Sequence, residues 1–390
     1  MDQFSFARQP ILDKSLLLYA YEFLYRPTDD ALDRNHSITS EVLVSSIVDM
    51  GLDKASNNKL AFINMSYQDI MSEHIEALPT EQLILELLED IKPDPKLIAR
   101  VKSLSEQGFR FALDDFVYSS DWDPLIELAE IIKFDLSITT LEENRALIDK
   151  LKHTNIMFLA EKVESHADYK AYSDIGCSLF QGYFFSKPEV IKGSSLNASN
   201  LSKTKLLSQI NQPDISFKEL QETIQQDPSL TFLLLKYLNS AQFSFANPIE
   251  SIQQAITILG LDNIKRWSTL VTLREMSSKP PELLRLALVR ARLAELFASH
   301  NKQPNSSGFF LSGLLSVLDA LLDTPLATII ESMPLDAEIS RALLKREGDI
   351  GKTLDSIIQY ETNPLNCTVE GLGENYLEAC EWADQIMEAL

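Results

Sequence analysis

The first half of the sequence repeats one local pattern, a short apolar run that ends in a carboxylate, an amide or a lysine. The runs are Tyr19-Ala20-Tyr21-Glu22-Phe23-Leu24, Ala61-Phe62-Ile63-Asn64, Leu83-Ile84-Leu85-Glu86, Phe111-Ala112-Leu113-Asp114-Asp115, Ile131-Ile132-Lys133 and Phe158-Leu159-Ala160-Glu161. If the ends of these runs meet, Glu22, Asn64, Glu86, Asp114, Asp115, Lys133 and Glu161 share one rim. Carboxylates gathered that closely repel one another unless cations sit among them. Oxygen donors of this type suit one or two hard divalent ions, Mg²⁺ or Mn²⁺. Two ions sharing carboxylates form the arrangement that assists phosphate-ester hydrolysis.

Such a rim needs elements that all end on the same side. Runs of this length, separated by amphipathic stretches, read as strands of a repeating βα barrel, whose functional side chains sit at the carboxyl ends of several strands. Apolar residues spaced by three and four predict helices over residues 40–50, 95–107 and 141–152. The alternation lasts to about Pro188, and a barrel is preferred to an open sheet because the polar strand ends recur along the whole region. Residues 191–203 are rich in Ser and Asn and read as a linker. Beyond it strand signals nearly vanish. Ser216-Phe217-Lys218-Glu219 is a capping box, Asp227-Pro228 opens a helix with leucines on one face, residues 251–259 close at Gly260, and Pro280-Pro281 precedes a long amphipathic stretch. The expected fold class is α/β followed by all-α: a modified TIM-type (β/α) barrel in residues 1–190, then a helical domain in residues 204–390.

Composition limits what the chain can engage. A net charge of −22, with no Lys/Arg-rich run, argues against binding to a nucleic-acid polymer or an anionic membrane surface. An anionic ligand must then be held through a metal ion or a local arginine. Three scattered cysteines, Cys177, Cys367 and Cys380, make neither a disulfide framework nor a zinc site, and a reducing cytoplasm is the simplest setting. The first eight residues lack the basic and apolar regions of a signal peptide. The most apolar stretch, residues 309–322, carries Ser312, Ser316 and Asp319 and is too short to span a bilayer, so it reads as a buried helix and no membrane insertion is expected.

The residues also match a known pattern in order. Gln9-Pro10-Ile11, Glu22-Phe23-Leu24 with Tyr25-Arg26, Ile63-Asn64, Glu86 with Glu89, Leu113-Asp114-Asp115-Phe116, Lys133 with Asp135, Glu161 with Val163-Glu164, and Gln181-Gly182-Tyr183 follow one another. This series resembles the EAL domain, named for its Glu-Ala-Leu motif, whose active members hydrolyse cyclic di-GMP to the linear dinucleotide. The resemblance implies that Glu22, Asn64, Glu86 and Asp114 hold one metal ion, and that Asp114, Asp115 and Glu161 approach a second. It implies that the ions polarise the phosphate and activate a water, with Lys133 steadying that water or the developing charge. It further implies that Gln181 and Arg26 position the nucleotide and that Glu89 braces the loop after Asp115. The sequence departs from the family in that loop. Phe116-Val117-Tyr118-Ser119-Ser120 stands where active members have Phe-Gly-Thr-Gly-Tyr-Ser-Ser, and Lys162 stands where glycine often follows the glutamate. Val117 lacks the backbone freedom of glycine, so the loop is expected to take a different path, with consequences for the second metal site and the dimer contact.

Residues from about 203 onward resemble the HDOD domain, a helical relative of metal-dependent HD phosphohydrolases that lacks their ligands. The matching residues are Asp227-Pro228-Ser229-Leu230, Leu234-Leu235-Lys236, Leu238-Asn239-Ser240-Ala241, Ile252-Gln253-Gln254-Ala255-Ile256 and Leu259-Gly260. Five histidines, His36, His74, His153, His166 and His300, form no paired ligand motif, so no second hydrolase site is expected. Asn239 is read as a helix-joining hydrogen-bonding group in preference to a ligand contact. Two functional expectations follow. The favoured one is a cyclic di-GMP-related signalling protein with a degenerate EAL domain, acting as a regulatory scaffold that binds the dinucleotide or protein partners, the latter through the HDOD domain. The alternative is an active Mg²⁺- or Mn²⁺-dependent phosphodiesterase. A homodimer is among the expected assemblies.

Overall fold

The computed structural model describes residues 4–27, 51–188, 198–239, 248–276, 279–362 and 372–389. The helix predicted over residues 40–50 lies outside these residues, as do Ser240 and Ala241. The chain divides into two units with the boundary between Phe184 and Phe185.

In the first unit eight strands close into a barrel in sequence order: β1 (Phe4–Asp13), β2 (Leu18–Pro27), β3 (Leu60–Met65), β4 (Leu83–Leu87), β5 (Arg110–Leu113), β6 (Ile131–Asp135), β7 (Met157–Glu161) and β8 (Leu179–Gln181). β1 runs antiparallel to both neighbours, β2 and β8, and the other pairs are parallel. A tight hairpin causes the reversal. Asp13 accepts from the backbone N–H of Ser15 and Leu17, while Leu16 takes a left-handed φ of 59°. Helices on the outside start where their caps dictate. Asp94 and Pro95 open Pro95–Glu106, and a Thr140/Glu143 capping box opens Leu141–Leu151.

Each strand contributes one residue to an inner apolar layer: Ile11, Ala20, Phe62, Ile84, Ala112, Ile131, Leu159 and Leu179, none more than 2% exposed. Burying each large member contributes roughly 1.5–3 kcal/mol. Side chains alternate along a strand, so the residue two positions on faces the same interior. On β2 to β8 those residues are Glu22, Asn64, Glu86, Asp114, Lys133, Glu161 and Gln181. On the reversed β1 the equivalent position lies two residues earlier, at Gln9, which pairs with Glu22 in register. One period-2 rule therefore stacks a layer of polar side chains directly on the apolar layer.

The second unit is helical throughout its described residues. Ala198–Ile210 begins inside the segment read as a linker, because Thr204, Leu207 and Ile210 form a buried stripe that the surrounding Ser and Asn conceal. Phe217–Gln225 has the expected Ser216/Glu219 capping box, Asp227 caps Pro228–Leu238, and Ile252–Leu259 ends at Gly260 with φ 83°. Pro281–His300 packs closely on Ser306–Leu315. At the crossing a Cβ on Gly313 would stand 2.6 Å from Ala291 Cα, so the backbones meet where only glycine fits. The stretch 309–322 forms not one helix but parts of two, Ser306–Leu315 and Leu318–Leu322. Ser316 Oγ donates to its own Gly313 carbonyl at 2.7 Å and ends the first. Asn239 joins a helix end to the chain beyond: its amide donates to the Leu235 and Ile249 carbonyls and accepts from Ile249 N–H. No described helix is long and apolar enough to cross a membrane.

Candidate metal centre at the carboxyl ends of the barrel strands

Lys133 lies at the centre of the polar layer. Its Nζ is 2.5 Å from Glu86 Oε1, 2.6 Å from Glu161 Oε1, 2.7 Å from Asp114 Oδ1 and 3.5 Å from Glu22 Oε2. The ammonium is 1% exposed, so one buried cation faces four carboxylates. Burial works to lower the Lys133 pKa, but Glu161, Glu22, Glu86 and Asp114 more than reverse this and hold it well above the ordinary lysine value. One ammonium does not satisfy all of its partners. Burial pushes the Glu86 carboxyl well above the ordinary glutamate range, against the attraction of Lys133, with Glu22, Asp114 and Glu161 adding to the rise. Glu161 is raised in the same way, by burial first and by Asp114 and Glu22 beside it.

The oxygen atoms show the same shortfall. Both carboxylate oxygens of Glu86, Asp114 Oδ1, Asp115 Oδ1, Asn64 Oδ1 and Gln181 Oε1 are buried without a hydrogen bond. Glu86 and Asp114 are near enough to Lys133 for charge attraction, but outside hydrogen-bonding geometry. Asp114, Asp115 and Glu161 each offer an oxygen within 4.8 Å of the others. A buried set of oxygen acceptors with more negative than positive groups fits a hard divalent cation. The resemblance assigns Glu22, Asn64, Glu86 and Asp114 to one ion and Asp114, Asp115 and Glu161 to a second; the oxygens of the second set are the ones that lie within 4.8 Å of one another.

The far side of the site is built differently. Asp115 takes a left-handed φ of 42°, and burial and its neighbour Asp114 raise its pKa. Asp135 closes β6, and its carboxylate pairs with Lys162, which has a left-handed φ of 54°. Burial would raise Asp135, but hydrogen bonds from Lys162 and Ser137 lower it below the ordinary range. The altered loop is anchored by Phe116, which is buried, packs edge-on against Trp122 and donates its N–H to the Lys133 carbonyl at 3.0 Å. Val117 and Tyr118 are exposed, and a short turn of helix, Ser120–Trp122, follows.

Glu22, Asn64, Glu86, Asp114, Asp115, Lys133, Glu161 and Gln181 thus meet on one rim. Gln181, read as a nucleotide contact, directs its amide donor to Glu22 Oε2 at 2.6 Å and to Gln9 Oε1 at 2.9 Å. It orients Glu22 because β8 and β2 flank β1. Asn64 also donates to Glu22, at 3.3 Å. Glu89 is exposed in the turn after β4 and its side chain makes no hydrogen bond to the described residues. Arg26 is on β2, but its side chain lies outside the described residues. Sequence reasoning did not mark Gln9, Asp135 or Lys162 as site residues. The two-residue alternation after Ile131 and Lys133 marks Asp135.

The EAL domain family matches residues 3–188 and the HDOD domain family matches residues 201–326. The chain is 34% identical over 405 residues to the uncharacterized protein YuxH of Bacillus subtilis strain 168, an overlap of 98% of each chain. It is 30% identical over 399 residues to the cyclic di-GMP phosphodiesterase CdgJ of Vibrio cholerae, covering 97% of this chain and 92% of that one. A solved structure of a standalone versatile EAL protein from Vibrio cholerae O395, in its c-di-GMP-bound form, is 22% identical with a TM-score of 0.36. The match covers 48% of this chain and 93% of that chain.

Proposed function

The chain belongs to the family of proteins that join an EAL domain to an HDOD domain, and from that premise we propose that its barrel is a metal-dependent cyclic di-GMP phosphodiesterase. The observation that carries this reading is the convergence of Glu22, Asn64, Glu86, Asp114, Asp115 and Glu161 around Lys133, with buried acceptor oxygens left without hydrogen bonds. The relative CdgJ, a cyclic di-GMP phosphodiesterase by name, supports the substrate class. A bound Mg²⁺ or Mn²⁺ supplies Lewis-acid polarisation of a phosphodiester and activation of water. The side chains do the rest. Glu22 is held in one orientation by Gln181 and Asn64, so its carboxylate is set before any ligand arrives. Lys133 supplies a point charge that suits the negative charge developing on a phosphoryl oxygen. Water adds to phosphorus and the 3′ oxygen leaves, one water being consumed per linear dinucleotide. The helical unit serves as a scaffold for protein partners.

One observation favours a second reading, binding without turnover. The loop Phe116 to Ser120 lacks glycine, and Asp135 on that side is already paired with Lys162. The test is incubation of the purified full chain with cyclic di-GMP and Mn²⁺ or Mg²⁺, with chromatography for the linear dinucleotide. Product from the native chain and none from Glu22→Ala is the expected result. Ligand binding with no product under either metal would establish the binding-only reading.

A further inference from the structure

The two sides of the site differ in how far the chain satisfies its own acids. Glu86, Asp114 and Asp115 keep buried oxygens without hydrogen bonds. Asp135, 1% exposed, has none to spare. Its Oδ1 accepts from Ser137 N–H and Oγ, each at 2.7 Å, and its Oδ2 is paired with the Lys162 ammonium. Lys162 makes this pair from a backbone conformation that glycine adopts freely and a side-chain-bearing residue does not, φ 54°. A residue held against its backbone preference at a polar site points to a role for its side chain. The side chain of Lys162 is 60% exposed, so an ion that took over the buried Asp135 carboxylate would return the ammonium to water.

We infer that the Lys162 ammonium is a tethered cation that takes the place of one divalent ion on the Asp115 and Asp135 side of the site. The chain then binds one ion tightly, among Glu22, Asn64, Glu86 and Asp114, and a second ion has to displace Lys162. The inference rests on the metal-site reading above. Like charge repels like at this range, so removing the ammonium raises affinity for the second ion on the order of tenfold or more.

The experiment is equilibrium titration of the metal-stripped full chain with Mn²⁺, reading free Mn²⁺ by electron paramagnetic resonance, in the native chain, Lys162→Gly and Lys162→Met. Glycine relieves the left-handed backbone, whereas methionine keeps a long side chain and removes only the charge. The expected result is one tight Mn²⁺ per native chain and a second in both variants. Stoichiometry and affinity unchanged in both variants, whether at one ion or two, would overturn the inference and leave the metal-site reading standing. A second ion gained by Lys162→Gly alone would assign the effect to the backbone and overturn it as well. No Mn²⁺ bound by any of the three chains would overturn the inference together with the reading beneath it.

Discussion

Replacing Lys133 with methionine keeps the length of the side chain and removes the only ammonium within 4 Å of Glu22, Glu86, Asp114 and Glu161 among the described residues. Breaking a buried ion pair from one side costs about 3–5 kcal/mol. Four partners do not multiply that figure, because burial already raises the pKa values of Glu86 and Glu161, so these carboxyls take up protons more readily in place of the lost charge. For a barrel of this size the loss corresponds to a melting temperature lower by about 6–20 °C. The sign with pH follows from the same groups. Carboxyls whose folded pKa is raised contribute stability at low pH that is lost as pH rises through the folded value. Without Lys133 their rise is larger, so the gap between variant and native chain widens as pH rises above the ordinary glutamate range. Thermal and urea unfolding in EDTA, followed through the barrel transition, measures this directly. Mn²⁺ at about 100 times its dissociation constant returns about 2.7 kcal/mol to a chain that binds it only when folded. A variant within about 1 kcal/mol of the native chain in EDTA across that pH range would refute the claim that Lys133 balances the rim.

Three further outcomes follow from the same structure. A Cβ on Gly182 would stand 2.2 Å from the Val163 carbonyl oxygen at a backbone φ of 142°, so Gly182→Ala loses roughly 1–3 kcal/mol in urea unfolding and misplaces Gln181 beside it. In the helical unit Arg290 forms a buried bidentate pair with Glu361, its guanidinium also donating to Ser316. Glu361→Gln therefore costs about 3–5 kcal/mol in the unfolding of that unit, and a loss below about 1 kcal/mol would show the pair to be dispensable. Burial pushes the Cys177 thiol up to about 12, so in a Cys367→Ser, Cys380→Ser background the folded chain stays unreactive towards a thiol reagent near neutral pH. Urea exposes the thiol and restores its reaction.

Much of this site is legible in the sequence because it is built on period-2 alternation. Each of Phe62, Ile84, Ala112, Ile131 and Leu159 lies two residues before a polar strand end, so one pattern encodes both the apolar layer and the rim above it. Helix boundaries were legible where a cap defines them, as at Ser216, Asp227 and Gly260. Local pattern does not carry pairings across the barrel. That Gln181 orients Glu22 depends on β1 standing between β8 and β2, and that Lys162 reaches Asp135 depends on β7 lying beside β6. Glu89 shares the acidic type of Glu86 but falls beyond the end of β4, where its side chain is exposed and the alternation no longer assigns it to the rim. The helix Ala198–Ile210 was hidden because its polar composition resembles a linker, while the buried positions among its described residues are Thr204, Leu207 and Ile210.

The central claim is that the carboxylate rim is a metal-dependent phosphodiester site, and turnover of cyclic di-GMP by the EDTA-stripped full chain, titrated with Mn²⁺, tests it most directly. The account predicts no linear dinucleotide in EDTA and formation that rises with Mn²⁺ to a plateau. Equal product with and without the metal, or none at any Mn²⁺ concentration, would contradict it.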